Sequence, residues 1–200
     1  VVGSPNPGAF GNSLAAVTVI SPNDAWAVGE SGTSQFGYQV LVLHWVGSTW
    51  RVTKTPPLDP WVSSLRAVSA GGRDDVWAVG VKDLGSESLT VAEHWDGRRW
   101  RIVPSPSPTG DDVLLGAATL SRNDAWTVGD YSPGGQNLIE HWDGTDWSVV
   151  SSAFRKHAVS TLAAISVDPA GEGWAAGTYI NKHHFSYHGL IEHLCVADPR

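Results

Sequence analysis

The sequence predicts an all-β chain of four like units packed radially about one axis. Three observations predict it. A six-residue phrase recurs: DAWAVG at Asp24–Gly29, DVWAVG at Asp75–Gly80, DAWTVG at Asp124–Gly129 and EGWAAG at Glu172–Gly177. A second phrase follows each after a loop: LHW at Leu43–Trp45, EHW at Glu93–Trp95 and at Glu140–Trp142, and EHL at Glu192–Leu194. The anchoring Trp26, Trp77, Trp126 and Trp174 stand about fifty residues apart, a period that marks an array of supersecondary units. Lastly, no window holds an i, i+3, i+4 apolar pattern over three turns, and Gly or Pro interrupts every long one, so helices are not expected. Four short strands per period describe the blade of a β-propeller.

Each repeat reads the same way. Leu14–Ile20, Leu65–Ser69, Leu115–Leu120 and Leu162–Val167 are short apolar runs that fit a buried innermost strand. A tight turn (NDA or a variant) leads to the second strand, which ends at a single glycine. After a variable loop comes the third strand, for example Leu138–Trp142, then a hairpin in which Asp96-Gly97 or Asp143-Gly144 is a strong two-residue turn signal. The outer strand opens at Trp50, Trp100 or Trp147 and stops at Pro-rich punctuation that cannot continue a ladder. The repeats span 13–54, 64–104, 113–152 and 161–200, with residues 1–5 added to the last, in one domain of residues 1–200.

The wording WAVG…EHWDG..W..VPSP resembles the divergent kelch-like repeats of secreted bacterial proteins, over essentially the whole chain. Kelch blades carry a double glycine after strand two; here there is one, at Gly29, Gly80, Gly129 and Gly177. The ends read as one blade cut in two. Val1-Val2 matches an outer strand, and Gly189–Leu194 is a third strand with none after it. The expected architecture is therefore four four-stranded antiparallel blades, the N-terminal strand completing the last and removing an open edge. Part of a larger ring, or a dimer making an eight-bladed ring, are the alternatives.

Apolar residues make up 42% of the 200 and charged residues 16%, the balance of a globular chain. A net charge of −7 argues against a nucleic-acid binder, which needs a basic stripe. No apolar run approaches the roughly 20 residues of a membrane helix, so membrane insertion is not expected. The absence of Met, even at position 1, suggests a processed piece of a longer precursor. The lone Cys195 reads as a small apolar residue, and the composition suits an extracellular or cell-surface bacterial protein.

Ten of the eleven tryptophans fall at repeat positions and read as packing between blades. Trp61, in a Pro-rich connection, is the exception: it either pins its loop or faces a ligand. The histidines His44, His94, His141 and His193 read as buried imidazoles bonding to backbone between blades. Glu93, Glu140 and Glu192 precede three of them, and Arg51, Arg99 or Arg101 are the partners expected for those carboxylates. Asp24, Asp75 and Asp124, with Glu172, read as turn formers accepting from nearby backbone N–H groups.

Topology supplies the site argument. In a meander blade the loop from strand two to three shares a face with the connection to the next blade. The variable stretches Glu30–Gln39, Lys82–Ser88, Asp130–Gln136 and Thr178–His188 all fall there, as do the interblade stretches. Variable loops on a rigid scaffold usually carry function. Candidate ligand-binding residues are Trp61, Phe36, Tyr38, Tyr131, His157, Tyr179, His183, His184, Tyr187 and His188, on a face expected to hold few acids. His183 and His188 are weak metal candidates, lacking Cys or carboxylate companions; no cofactor is expected. The favoured function is a non-catalytic binding module for a protein or glycan. A hydrolase or lyase with a His general base on this face, and a structural or surface-assembly subunit that self-associates, are the rivals. No paired carboxylates or nucleophile elbow support the enzyme.

Overall fold

The computed structural model describes residues 1–58, 62–131, 135–152, 158–181 and 186–195. The described residues form strands and turns only, in four antiparallel meanders. The first comprises β1 (Asn12–Ser21), β2 (Asp24–Gly32), β3 (Tyr38–Trp45) and β4 (Trp50–Val52). The second comprises β5 (Val62–Gly72), β6 (Asp75–Asp83), β7 (Ser88–Trp95) and β8 (Trp100–Val103). The third comprises β9 (Asp112–Ser121), β10 (Asp124–Tyr131), β11 (Gln136–Trp142) and β12 (Trp147–Val149). The fourth comprises β13 (Ala158–Val167), β14 (Glu172–Asn181) and β15 (Ser186–Cys195).

The glycine closing each second strand answers a bulge in the first. Leu14, Leu65, Leu114 and Leu162 pair with Gly29, Gly80, Gly129 and Gly177, and the register then slips by one residue in every blade. The bulged strand swings its carbonyl over the glycine. A Cβ on Gly80 would sit 2.0 Å from Ser64 O, and one on Gly129 1.8 Å from Val113 O. The single repeated glycine is thus a steric requirement at a bulge.

The core lies between blades. Trp26, Val28 and Val42 pack against Leu65, Val68, Ala78, Val91 and Trp100 of the next blade. The same junction recurs between blades two and three and between three and four. The strand-two tryptophan is its centre: Trp26 lies 5.0 Å from Trp95 and 5.3 Å from Trp100, and Trp77 lies 5.0 Å from Trp142 and 4.9 Å from Trp147. A buried Trp removes about 150–250 Å² from water, worth about 4–6 kcal/mol gross at ~25 cal/mol per Å².

Several expectations need correction. The DG hairpins are four-residue connections, not two-residue ones: Asp96 N donates to Arg99 O, and Asp96 Oδ1 accepts from the N–H groups of Arg98 and Arg99. These bonds, the one from Arg99 first, hold the exposed Asp96 carboxyl down to about 2. The innermost strand is well buried in the second blade and half-buried in the third, but Leu14, Val17 and Val19 of the first and Ala163, Ala164 and Ser166 of the fourth are exposed. Nor does the chain close on itself. Val1 and Val2 are exposed coil, and β13–β14–β15 stands as a three-stranded sheet without them. Repeat phase specifies which kind of strand comes next, not which segment supplies it.

Candidate interaction site on the loop face

The start of each third strand bridges to the start of the next blade. Tyr38 pairs with Val62, Ser88 bridges Asp111, and Ser160 N donates to Gly135 O at 2.7 Å. The loop from strand two to three and the interblade connection therefore share one end of the molecule. Strands β2, β6, β14 and β15 run further than the sequence pattern implied, so Tyr179, Tyr187 and His188 stand on strands and not in a loop.

Beneath each bridge the connection leaves a crevice. Cavities of about 330, 210 and 290 Å³ occur at the three successive junctions. Each is lined at the same repeat position, by Val40, Thr90 or Asn137, the fifth residue before Trp45, Trp95 or Trp142. The first crevice has Val40 at this position, with Gln39, Lys54, Thr55 and Ser63 among its other walls. The second is closed by its own chain: Thr90 N donates to Ser107 Oγ at 2.9 Å, and Thr90 Oγ1 donates to Pro106 O at 2.9 Å. The third differs. Asn137 Nδ2 donates to Glu192 Oε2 at 2.9 Å and to Ser152 Oγ at 3.1 Å, while Ser152 Oγ donates to the same carboxylate oxygen at 2.8 Å. That network fixes the amide, and the buried Asn137 Oδ1 is left without a donor. Leaving a buried acceptor unpaired costs about 1–3 kcal/mol. Tyr131, Gln136, Ser151 and Ser160 complete the polar wall, with Tyr131 Oη donating to Gln136 Oε1 at 2.8 Å.

The face also carries more acid than expected. Asp130, at the end of β10, has its carboxyl raised by burial first; a bond from Thr161 opposes this, and Asp111 and Asp112 add to it. Asp112 is buried and accepts from Thr109 and Gly110.

Of the residues singled out from sequence, Trp61, His157, His183 and His184 lie outside the described residues. Tyr131 lines the third crevice. Phe36 is exposed in the β2–β3 loop, and Tyr38 is half-buried at its bridge. Tyr179 packs on the third core cluster and stacks on His188 at 4.9 Å, whose Nε2 lies 2.8 Å from Ser186 Oγ. Tyr187 is exposed on β15. The structure thus brings Tyr179 to His188, but not these aromatics into one pocket with Phe36. Among the described residues no three His, Cys, Asp or Glu side chains are grouped to hold a metal ion. Asn137, Gln136 and Ser152 were missed; the signal was Asn at a position held by Val and Thr in the two preceding repeats.

The repeated histidines lie elsewhere and bond differently from expectation. Nε2 of His44 lies 2.8 Å from Asp24 Oδ1, that of His94 2.8 Å from Asp75, that of His141 3.1 Å from Asp124 and that of His193 2.6 Å from Glu172. Each ring also lies against the strand-two tryptophan of its own blade, His44 on Trp26 at 3.9 Å and 9°. The acid that opens strand two therefore accepts from the imidazole of strand three, within one blade. Beside it, Trp45, Trp95 and Trp142 donate through Nε1 to the carbonyls of Pro22, Arg73 and Arg122 in the first turn. Nor do Glu93 and Glu140 take the expected arginine partners among the described residues. Glu140 accepts from Ser105 Oγ at 2.7 Å, and Glu93 has no partner at all.

Antiparallel meanders of three or four strands, joined through Trp-filled faces and bridged at one end, define the chain as a β-propeller protein. Solved structures bear this out. The chain is similar to YCF48 bound to D1 peptide, with a TM-score of 0.56 and 16% identity over 94% of this chain and 59% of that one. It is also similar to YCF48 from Cyanidioschyzon merolae, with a TM-score of 0.55 and 14% identity over 93% of this chain and 52% of that one. The chain thus spans between half and three fifths of the length of these structures. No protein-family model and no curated protein matches it.

Proposed function

We propose that the chain is a non-catalytic protein-interaction module whose loop face takes a peptide segment of its partner, anchored in the crevice between the third and fourth blades. The observation that carries this reading is a cavity of about 290 Å³ with Asn137 in its largely polar wall, the amide's Oδ1 buried and unpaired. The atom asks for an N–H or O–H donor, and a peptide's backbone or side-chain amides supply one. The likeness to a propeller whose structure holds a peptide supports the same reading. A hydrolase draws no support from the acid–histidine pairs. They occur in every blade, each imidazole lies against a tryptophan ring, and a group repeated four times is a building device. The extracellular or cell-surface setting read from composition belongs to this proposal.

A random peptide library displayed on phage, panned against the wild type and against Asn137→Val, tests it. The substitution installs the residue of the first blade. Enriched peptides should lose about tenfold in affinity, the worth of one ~1.4 kcal/mol anchor. Enrichment that ignores the substitution, or binding on a glycan array with no peptide enriched, overturns the reading.

A further inference from the structure

The junction between blades is built three times, and its two halves stand uncovered at the two ends of the array. On the leading side, Trp26, Trp77 and Trp126 are buried, as are Val42, Ala92 and Ile139. Their fourth-blade counterparts, Trp174 and Ile191, are 55% and 71% exposed. On the receiving side, Leu65 and Val68 of the second blade are buried, whereas Leu14 and Val17 of the first are 45% and 61% exposed. Exposed apolar faces of this kind mark contact surfaces.

Both halves are already shaped for each other. Trp45 and Trp50 lie 5.6 Å apart at 54°, close to the 6.0 Å and 49° of Trp95 and Trp100, the pair that receives Trp26. Trp174 is held against His193 at 4.4 Å, as Trp77 is held against His94 at 4.4 Å. Among the described residues the sheet of the fourth blade ends at β15, where the other blades add β4, β8 or β12. Such an edge is a template for strand addition.

We infer that a second copy of this chain docks head to tail, its first blade covering Trp174 and Ile191. Residues 1–5 (VVGSP) align with residues 102–106 (IVPSP), and in the second blade Ala92 pairs with Val103 and Glu93 with Ile102. The partner's Val2 then faces Ile191 and its Val1 faces Glu192, adding the missing outer strand in trans. A two-fold pair makes both junctions at once and closes a ring with no sheet edge left open.

Equilibrium sedimentation of the whole chain at about 10 µM, a concentration that resolves micromolar pairing, is expected to give twice 21.3 kDa. Ile191→Asp and Val17→Asp change side chains that are already exposed, so circular dichroism should show both folded. Each variant should run as a monomer, because each spoils one half of every junction in its homodimer. Mixed in equal amounts, the two should recover a dimer through the one intact junction. A monomeric wild type, a Val17→Asp variant that still dimerises, or a mixture that stays monomeric overturns the inference.

Discussion

Replacing Glu93 by leucine should stabilise the protein above neutral pH and remove a pH dependence centred on this residue. Glu93 lies on β7 at the junction of the first two blades, fully buried, with neither carboxylate oxygen bonded. Its counterparts are better placed. Glu140 accepts from Ser105, Glu192 accepts from Asn137 and Ser152, and the first blade has Leu43 there. Thr55 stands where Ser105 does in the repeat but makes no bond to Glu93. Burial accordingly pushes the Glu93 carboxyl from 4.5 up to about 8. Below pH 4.5 the folded and unfolded chains both hold the proton. Between 4.5 and about 8 only the folded chain holds it, so stability falls by about 1.4 kcal/mol per pH unit. Above about 8 both are ionised and the loss is complete. The gap bounds that loss at about 5 kcal/mol, against a typical total of about 5–15 kcal/mol for a domain. Urea unfolding at about pH 5 and about pH 8.5, analysed by linear extrapolation, measures it for the wild type and Glu93→Leu. Glu140, raised by burial to about 7 with the Ser105 bond opposing, contributes equally to both proteins and cancels in the difference. The advantage of leucine should grow by several kcal/mol between the two pH values. An advantage of the same size at both would refute the reasoning.

The bulge glycines and the acid–histidine pairs carry two further expectations. Gly80→Ala sets a Cβ 2.0 Å from the Ser64 carbonyl, so backbone must move; a loss of about 3 kcal/mol should lower Tm by about 6–12 °C in a chain of this size. Gly189→Ala, with nothing within 4 Å of its Cβ, is the control and should unfold near the wild-type temperature. For Asp75 and His94, a double-mutant cycle of Asp75→Asn and His94→Ala, read by chemical denaturation, should show a coupling of about 1.5–3 kcal/mol, the range of a hydrogen bond to a charged group. Additive single effects would show that the 2.8 Å contact contributes little.

Periodicity made the blades legible because each repeat must bury the same face against its neighbour. The tryptophans follow from that requirement, and the single glycines recur because the bulge opposite them does. Partnerships between side chains were less legible. Asp75 and His94 stand 19 residues apart, and only the register of β6 on β7, which sets Trp77 opposite His94, brings them together. Their joint recurrence in every blade was a usable signal, because two polar positions that repeat together on adjacent strands imply a bond. Asn137 was hidden for the opposite reason. It stands at a position where no two repeats agree, and a search for shared phrases passes over what is not shared. The closure of Val1-Val2 onto the last blade failed because phase is a property of the motif and is blind to distance.

The two ends of the blades divide labour, and this gives Asn137 a second, independent test. At the tight-turn end, acid, imidazole and indole hold each blade through bonds repeated in three or four copies. Substitution there removes a bond the fold uses. At the loop end, Val40, Thr90 and Asn137 occupy one position with three chemistries, so the repeat does not dictate the side chain there. Asn137 nevertheless keeps an unpaired acceptor buried, at a cost of about 1–3 kcal/mol. Asn137→Thr, the residue of the second blade, removes the orphaned oxygen along with the bonds to Glu192 and Ser152, so the stability terms oppose one another. Its thermal unfolding should stay within about 4 °C of the wild type, the shift expected for about 1 kcal/mol in a chain of this size. A collapse of stability would make Asn137 a structural residue and leave the crevice without its anchor.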